Sequence, residues 1–125
     1  MKKKLLRYSY NEKSEFIIQE GKSIYNEVKK NWSKFFKNKN PLFIELGCGY
    51  GEHTTKFSFL EKDKNFIGID IKGARIYKGA ISLEKNMTTN AIFLRTDIQN
   101  INDFFNPNEI SGCLLYTSPS PRDLW

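Results

Sequence analysis

Residues Leu42 to Gly51, LFIELGCGYG, limit the fold more than any other part of this chain. Pro41 has no N–H to donate and a fixed φ, so no helix enters the run and the first position of a strand suits it. Leu42, Phe43, Ile44 and Leu46 then read as a strand buried on both faces, as in a parallel sheet. Gly47, Gly49 and Gly51 follow at alternating positions. Glycine lets the backbone turn tightly and approach a ligand closely. One residue departs from the pattern. Glu45 is a carboxylate near the strand end, and burying it without a partner is costly. A ligand carrying hydroxyls or positive charge would account for it.

The rest of the chain repeats this grammar. A helix is expected after Gly51, with Phe57 and Leu60 toward the sheet. Asn65 to Asp70 reads as a second strand. Gly73 to Leu83 reads as a second helix with Ile76, Ala80 and Leu83 on one face. Ala91 to Arg95 is a third strand leading to Asp97, and Ile98 to Phe105 a short helix closed by Pro107. Before Pro41, Ile24, Tyr25, Val28, Trp32, Phe35 and Phe36 recur at helical spacing between Ser23 and Phe36, which makes the aromatics core residues. Residues 1–13 show no clear period and read as a mobile arm. The order β-α-β-α-β after an N-terminal helix is the first half of a doubly wound, Rossmann-like α/β sheet. Such sheets bind ligands at the carboxyl ends of their strands, where Glu45, the glycines, Asp70 and Asp97 fall.

Asp70 lies at the end of the second strand, where an acid accepts two hydrogen bonds from a ribose diol. Asp97, just past the third strand, is placed for an adenine amino group. A dinucleotide fingerprint would need glycine at position 52, which is Glu52. A phosphate loop would need Lys-Ser or Lys-Thr after its last glycine, and Gly51 is followed by Glu52-His53. A carboxylate at this turn also disfavours a pyrophosphate. The ligand that fits is an adenosyl group without phosphates and with positive charge, and S-adenosylmethionine has both properties. Residues 42–97 therefore resemble the cofactor half of a class I methyltransferase.

The segments Phe66 to Arg75, FIGIDIKGAR, and Phe93-Leu94-Arg95-Thr96 are similar to the bacterial tRNA (guanine-N7-)-methyltransferase family, over about Asn31 to Ser111. The resemblance implies cofactor contacts at Glu45, Asp70 and Asp97 beside Gly47, Gly49 and Gly51, and a tRNA substrate. The second acid is often Glu in that family, and Asp keeps the diol contact. Guanine N7 attacks the sulfonium methyl through its own lone pair, so the chemistry is chiefly alignment and exclusion of water. A carboxylate near the purine helps as positive charge arrives there. In the family that role belongs to a Pro-Asp-Pro-type segment after the fourth strand, which does not appear, so no catalytic residue is assigned.

Charge is unevenly placed. Residues 1–40 hold 11 Lys/Arg and 4 Asp/Glu, and residues 41–111 hold 8 and 9. A basic arm beside a neutral domain fits phosphate contacts with RNA, and solvated lysines explain it equally well. Lys72 and Arg75 face the same two readings. His53 has no partner cluster and reads as neither metal ligand nor general base, so no metal is expected. Cys48 and Cys113 form no disulfide framework. No apolar run approaches the ~20 residues of a bilayer span, and no signal peptide is evident, so a cytoplasmic protein is expected.

The C-terminus breaks the pattern. Cys113 to Asp123 resembles the translation of a transposase adapter used in sequencing libraries. The division expected is therefore a basic arm and helix over 1–40, the cofactor half over 41–111, and a non-native tail over 112–125. The alternative for the tail is a strand, Cys113 to Tyr116, with a Ser/Pro loop behind it. Two consequences are expected: an exposed apolar edge on the third strand, and no methyl transfer by the 125-residue chain. Two alternatives stay open, a class I methyltransferase of another substrate and a non-catalytic RNA-binding module.

Overall fold

The computed structural model describes residues 2–114. The predicted strands stand where the sequence places them, as β2 (Leu42–Leu46), β3 (Asn65–Asp70) and β4 (Ala91–Arg95). Between them lie α4 (Glu52–Leu60) and α5 (Gly73–Lys85). Three N-terminal helices precede these elements: α1 (Lys2–Lys13), α2 (Ile24–Glu27) and α3 (Trp32–Phe36). Two further strands, β1 (Ile17–Gln19) and β5 (Gly112–Cys113), and the short helix α6 (Ile101–Phe104) complete the described fold. The sheet is parallel with order β1-β4-β3-β2-β5. The chain winds outward from β2 to β4, then returns to β5 on the other side of β2. The carboxyl end of β2 is therefore the point where strand order reverses, and a crevice forms there in such sheets.

Alternation along the strands separates two cores. Ile44, Ile67, Ile69, Ile92, Leu94 and Ile18 face Tyr25, Val28, Trp32, Ile101, Phe104 and Phe105. Ile17, Phe66 and Phe93 face Ile76, Ala80 and Leu83 of α5. Those three α5 residues are fully buried, as their spacing of four and three predicts for one helix face.

Three N-terminal expectations are corrected. The segment before Ser14 is a helix, because its anchor is tertiary. Asn11 is buried and its Nδ2 donates to the Gly73 carbonyl at 3.0 Å, while the Tyr10 hydroxyl donates to Glu84 Oε1 at 2.6 Å. Next, Ile17–Gln19 pairs with Phe93–Arg95, so the outer edge of β4 is covered and the exposed edge foreseen there does not exist. Three residues are too few to show a strand's period. Finally, the helix expected over Ser23 to Phe36 is broken. Lys30 takes φ 55° and its N–H donates to the Phe104 carbonyl at 2.8 Å. Trp32 Nε1 donates to that carbonyl at 2.9 Å, so the break serves a carbonyl that α6 leaves unpaired at its C-terminus.

Smaller differences have similar causes. Leu60 is exposed, and α4 instead buries Thr54, Thr55 and Ser58. Phe57 does meet the sheet, stacked on Phe66 with centroids 6.4 Å apart. Gly112 and Cys113 pair with Phe43 and Ile44. The remainder of the suspected tail, from residue 115, lies outside the described residues. No helix among the described residues is long and apolar enough to cross a membrane.

Candidate cofactor site at the β2 and β3 strand ends

The turn after β2 is built by its glycines. Gly47, Gly49 and Gly51 all have positive φ, at 67°, 58° and 75°. Their surroundings differ. A Cβ added at Gly47 or Gly49 would meet nothing within 4 Å. At Gly51 it would fall 2.3 Å from Phe93 Cζ. The first two glycines therefore border open space, and the third makes room for a core ring. Gly68 and Gly79 also pack on Phe93, so the ring sits in a glycine-lined socket between β3, α4 and α5.

Glu45 is 4% exposed. Its register partner is Gly68, where an added Cβ would lie 2.9 Å from Thr54 Oγ1. The missing side chain leaves room for Thr54, which donates to Glu45 Oε1 at 2.7 Å. His53 Nδ1 lies 3.7 Å from Oε2. The carboxylate thus has partners within the chain, which sequence reasoning missed. The available signal was two threonines, Thr54 and Thr55, in the first turn of a helix that needs an inward face. Burial still raises the Glu45 carboxyl above its ordinary value, with the Thr54 hydrogen bond and His53 opposing the shift.

The sign of that shift makes a prediction. A carboxyl raised in the folded state contributes stability that is complete below its unfolded value and is lost as pH rises through the folded value. Glu45→Gln removes the titration and retains an acceptor for Thr54. In urea unfolding, the variant's advantage over the parent chain is expected to shrink as pH falls from 8 toward about 4.5. A pH-independent difference would contradict it.

Asp70 ends β3 beside the same turn. Gly49 N–H donates to Asp70 Oδ2 at 2.9 Å, and Lys72 N–H donates to Oδ1 at 3.0 Å. Each oxygen keeps a second lone pair for a ligand. Cys48 N–H caps the Ile69 carbonyl at 2.9 Å, which ties the turn to the end of β3. Cys48 itself is buried, and burial pushes its thiol well above the ordinary range. It is packed, not reactive.

The structure brings Glu45, Gly47, Gly49 and Asp70 together on adjacent strand ends. Asp97 stands one strand farther out. It is exposed, and its carboxylate accepts from Gln99 N–H at 2.9 Å, capping the turn Ile98–Asn100. It lines a cleft of about 480 Å³ with Tyr8, Tyr25, Ile71, Arg95 and Thr96. The Tyr25 hydroxyl and Thr96 Oγ1 lie 2.8 Å apart, and Asn100 Nδ2 donates to Thr96 at 3.1 Å. A roomier groove of about 630 Å³ runs between α4 and α5, lined by Tyr50, Lys56 and Lys78 among others, and touches none of these acids. Among the described residues, no group of three or more His, Cys, Asp and Glu is placed to hold a metal.

The donors and acceptors suit a cationic, hydroxyl-bearing ligand. Two carboxylates with spare lone pairs flank a turn whose Gly47 and Gly49 leave open space, and Glu52 stands in the first turn of α4. A phosphate-binding helix start would not carry that acid.

Comparison with known proteins speaks to the family and the fold. The sequence profile of a family described as "Putative methyltransferase" matches residues 39–122. The tRNA (guanine-N(7)-)-methyltransferase of Cytophaga hutchinsonii is 42% identical over 124 residues, covering 98% of this chain and 56% of that protein. The enzyme of the same name from Christiangramia forsetii is 44% identical over 126 residues, covering 97% of this chain and 56% of its own length. The chain thus spans just over half the length of these curated relatives. Among solved structures, a 30S ribosomal A1408 methyltransferase from an uncultured bacterium superposes with TM-score 0.59 at 16% identity, covering 78% of this chain and 46% of that one. That likeness speaks to the fold, a class I methyltransferase fold.

Proposed function

The chain belongs to the family of putative methyltransferases, and from that premise we propose that it is the cofactor-binding half of a tRNA (guanine-N7-)-methyltransferase using S-adenosylmethionine. The observation that carries the reading is the pair of strand-end carboxylates, Glu45 and Asp70, beside the open Gly47 and Gly49. When bound, the cofactor supplies a methyl group made electrophilic by its sulfonium. The chain's own part is to hold that cation and its ribose. Asp70 accepts from the diol, Glu45 offsets positive charge through its Oε2 side, and Asp97 accepts from the nucleobase amino group. Buried carboxylates act strongly on a cation because little water screens them.

Relatives of 42% and 44% identity named for tRNA guanine-N7 methylation support the substrate. So does the basic N-terminus. Lys2, Lys3 and Lys4 are exposed on α1, which Asn11 ties to Gly73 at the start of α5. Lys72 and Arg75 are exposed beside that anchor. These side chains suit RNA phosphates, and such contacts carry a steep dependence on salt.

The test is a titration of the purified chain with S-adenosylhomocysteine, followed by amide NMR. Shifts at Gly47, Gly49, Ile71 and Lys72 are expected, with weak affinity and no methyl transfer to tRNA transcripts by this chain alone. RNA binding without any response to the cofactor would favour the non-catalytic RNA module. Cofactor binding, with the gene's complete product methylating other substrates but not tRNA, would leave the fold and remove the tRNA.

A further inference from the structure

Arg95 ends β4 in register with Gln19 of β1 on one side and Asp70 of β3 on the other. Its Nε donates to the Ile71 carbonyl at 3.0 Å, and one guanidinium nitrogen donates to Gln19 Oε1 at 3.3 Å. The group is seated against Gly73, where an added Cβ would fall 3.0 Å from Arg95 Cζ and 2.8 Å from Asn11 Nδ2. The Ile71 carbonyl and the Lys72 N–H belong to one planar peptide unit. Arg95 holds the oxygen of that unit, and Asp70 Oδ1 accepts from its N–H. The Ile71 side chain is 53% exposed, so apolar packing does little to fix the plane.

We propose that Arg95 is a positioning residue for Asp70. It sets the tilt of the Ile71–Lys72 peptide, and through it the Asp70 carboxylate. Gln19 accepts from the guanidinium, and Asn11 and Arg95 both lie over Gly73, so the N-terminal segment contributes to cofactor affinity in addition to any contact with RNA. The inference rests on the cofactor reading of Asp70 only for its ligand arm. Arg95 acts here through a bond to a carbonyl, so Arg95→Lys, which keeps the charge but loses the fork, separates geometry from electrostatics.

The experiment has two arms on the 125-residue chain. The first is ligand-free hydrogen exchange by NMR on the parent chain, Arg95→Ala, Arg95→Lys and Gln19→Ala. The Lys72 amide is expected to exchange ~10-fold faster in Arg95→Ala, about the loss of one hydrogen bond. The Phe66 amide, bonded to the Asn90 carbonyl at 2.9 Å, reports global stability, and Lys72 is read relative to it. Gln19→Ala should give a smaller change of the same sign. The second arm titrates S-adenosylhomocysteine in a double-mutant cycle with Asp70→Asn. Arg95→Ala should weaken binding ~10-fold in the parent and less than about 2-fold in the Asp70→Asn background. Unchanged Lys72 exchange, or additive losses in the cycle, would overturn the proposal. A parent chain that ignores the ligand would instead refute the cofactor reading, and the exchange arm would still decide whether Arg95 positions Asp70.

Discussion

Gly51→Ala is expected to lower stability by about 2–5 kcal/mol, a large fraction of the total stability of a domain. Two costs combine. The residue has φ 75°, where an L side chain costs roughly 1–2 kcal/mol. The new methyl would also lie 2.3 Å from Phe93 Cζ and 2.5 Å from Cε1, and forcing extra volume into a packed core costs about 1–3 kcal/mol. Phe93 is fully buried with Gly68 and Gly79 also against it, so the ring has nowhere to go. Gly49→Ala supplies the control. Its φ is 58° with no atom within 4 Å of the added carbon, so only the backbone cost of roughly 1–2 kcal/mol applies. Urea unfolding of both variants separates the two costs. Adding Phe93→Leu to Gly51→Ala should recover part of the loss. Equal losses at Gly49 and Gly51 would show that the Phe93 socket is not what Gly51 serves.

Asp70→Ala has the second large effect, on binding. The substitution removes the acceptor of two backbone N–H groups, Gly49 and Lys72, and the acceptor offered to a ribose diol. Hydrogen bonds to charged groups are worth about 1.5–3 kcal/mol each. Loss of the diol pair, about 3–6 kcal/mol, therefore corresponds to roughly 100- to 10,000-fold weaker binding of S-adenosylhomocysteine. Asp70→Asn keeps the volume and one acceptor, so an intermediate loss is expected. NMR titration measures both. If RNA affinity and fold survive Asp70→Ala while no cofactor response is found even in the parent chain, the methyltransferase reading fails and the RNA-module reading stands.

Much of this site was legible in the chain. Glu45, the glycines and Asp70 announce themselves because polar or flexible residues interrupt apolar strands at their ends. Parallel strands show long apolar runs, so β2, β3 and β4 were found at their observed bounds. The partners of the site were not legible. Thr54 looks like any polar residue in a helix until Gly68 opens the space above Glu45. Arg95 looks like a solvated strand end until the Ile71 carbonyl and Gln19 take its donors. Gly51 looks like one more glycine of the turn until Phe93 fills the space that its missing side chain leaves.

The N-terminal region draws the same line. Lys2 to Lys13 has no apolar period, and what makes it a docked helix is Asn11 on the Gly73 carbonyl and Tyr10 on Glu84. Ile17 to Gln19 is a strand because the edge of β4 stood open to it. Lys30 breaks a helix of good spacing because the Phe104 carbonyl offers a better acceptor. Periodicity and glycine placement alone determined the class of fold, the strand ends and the chemistry expected there, since these follow from local burial and backbone freedom. Tertiary structure decided which residues brace the acids, since those bonds join segments far apart in the chain and leave no mark in local sequence.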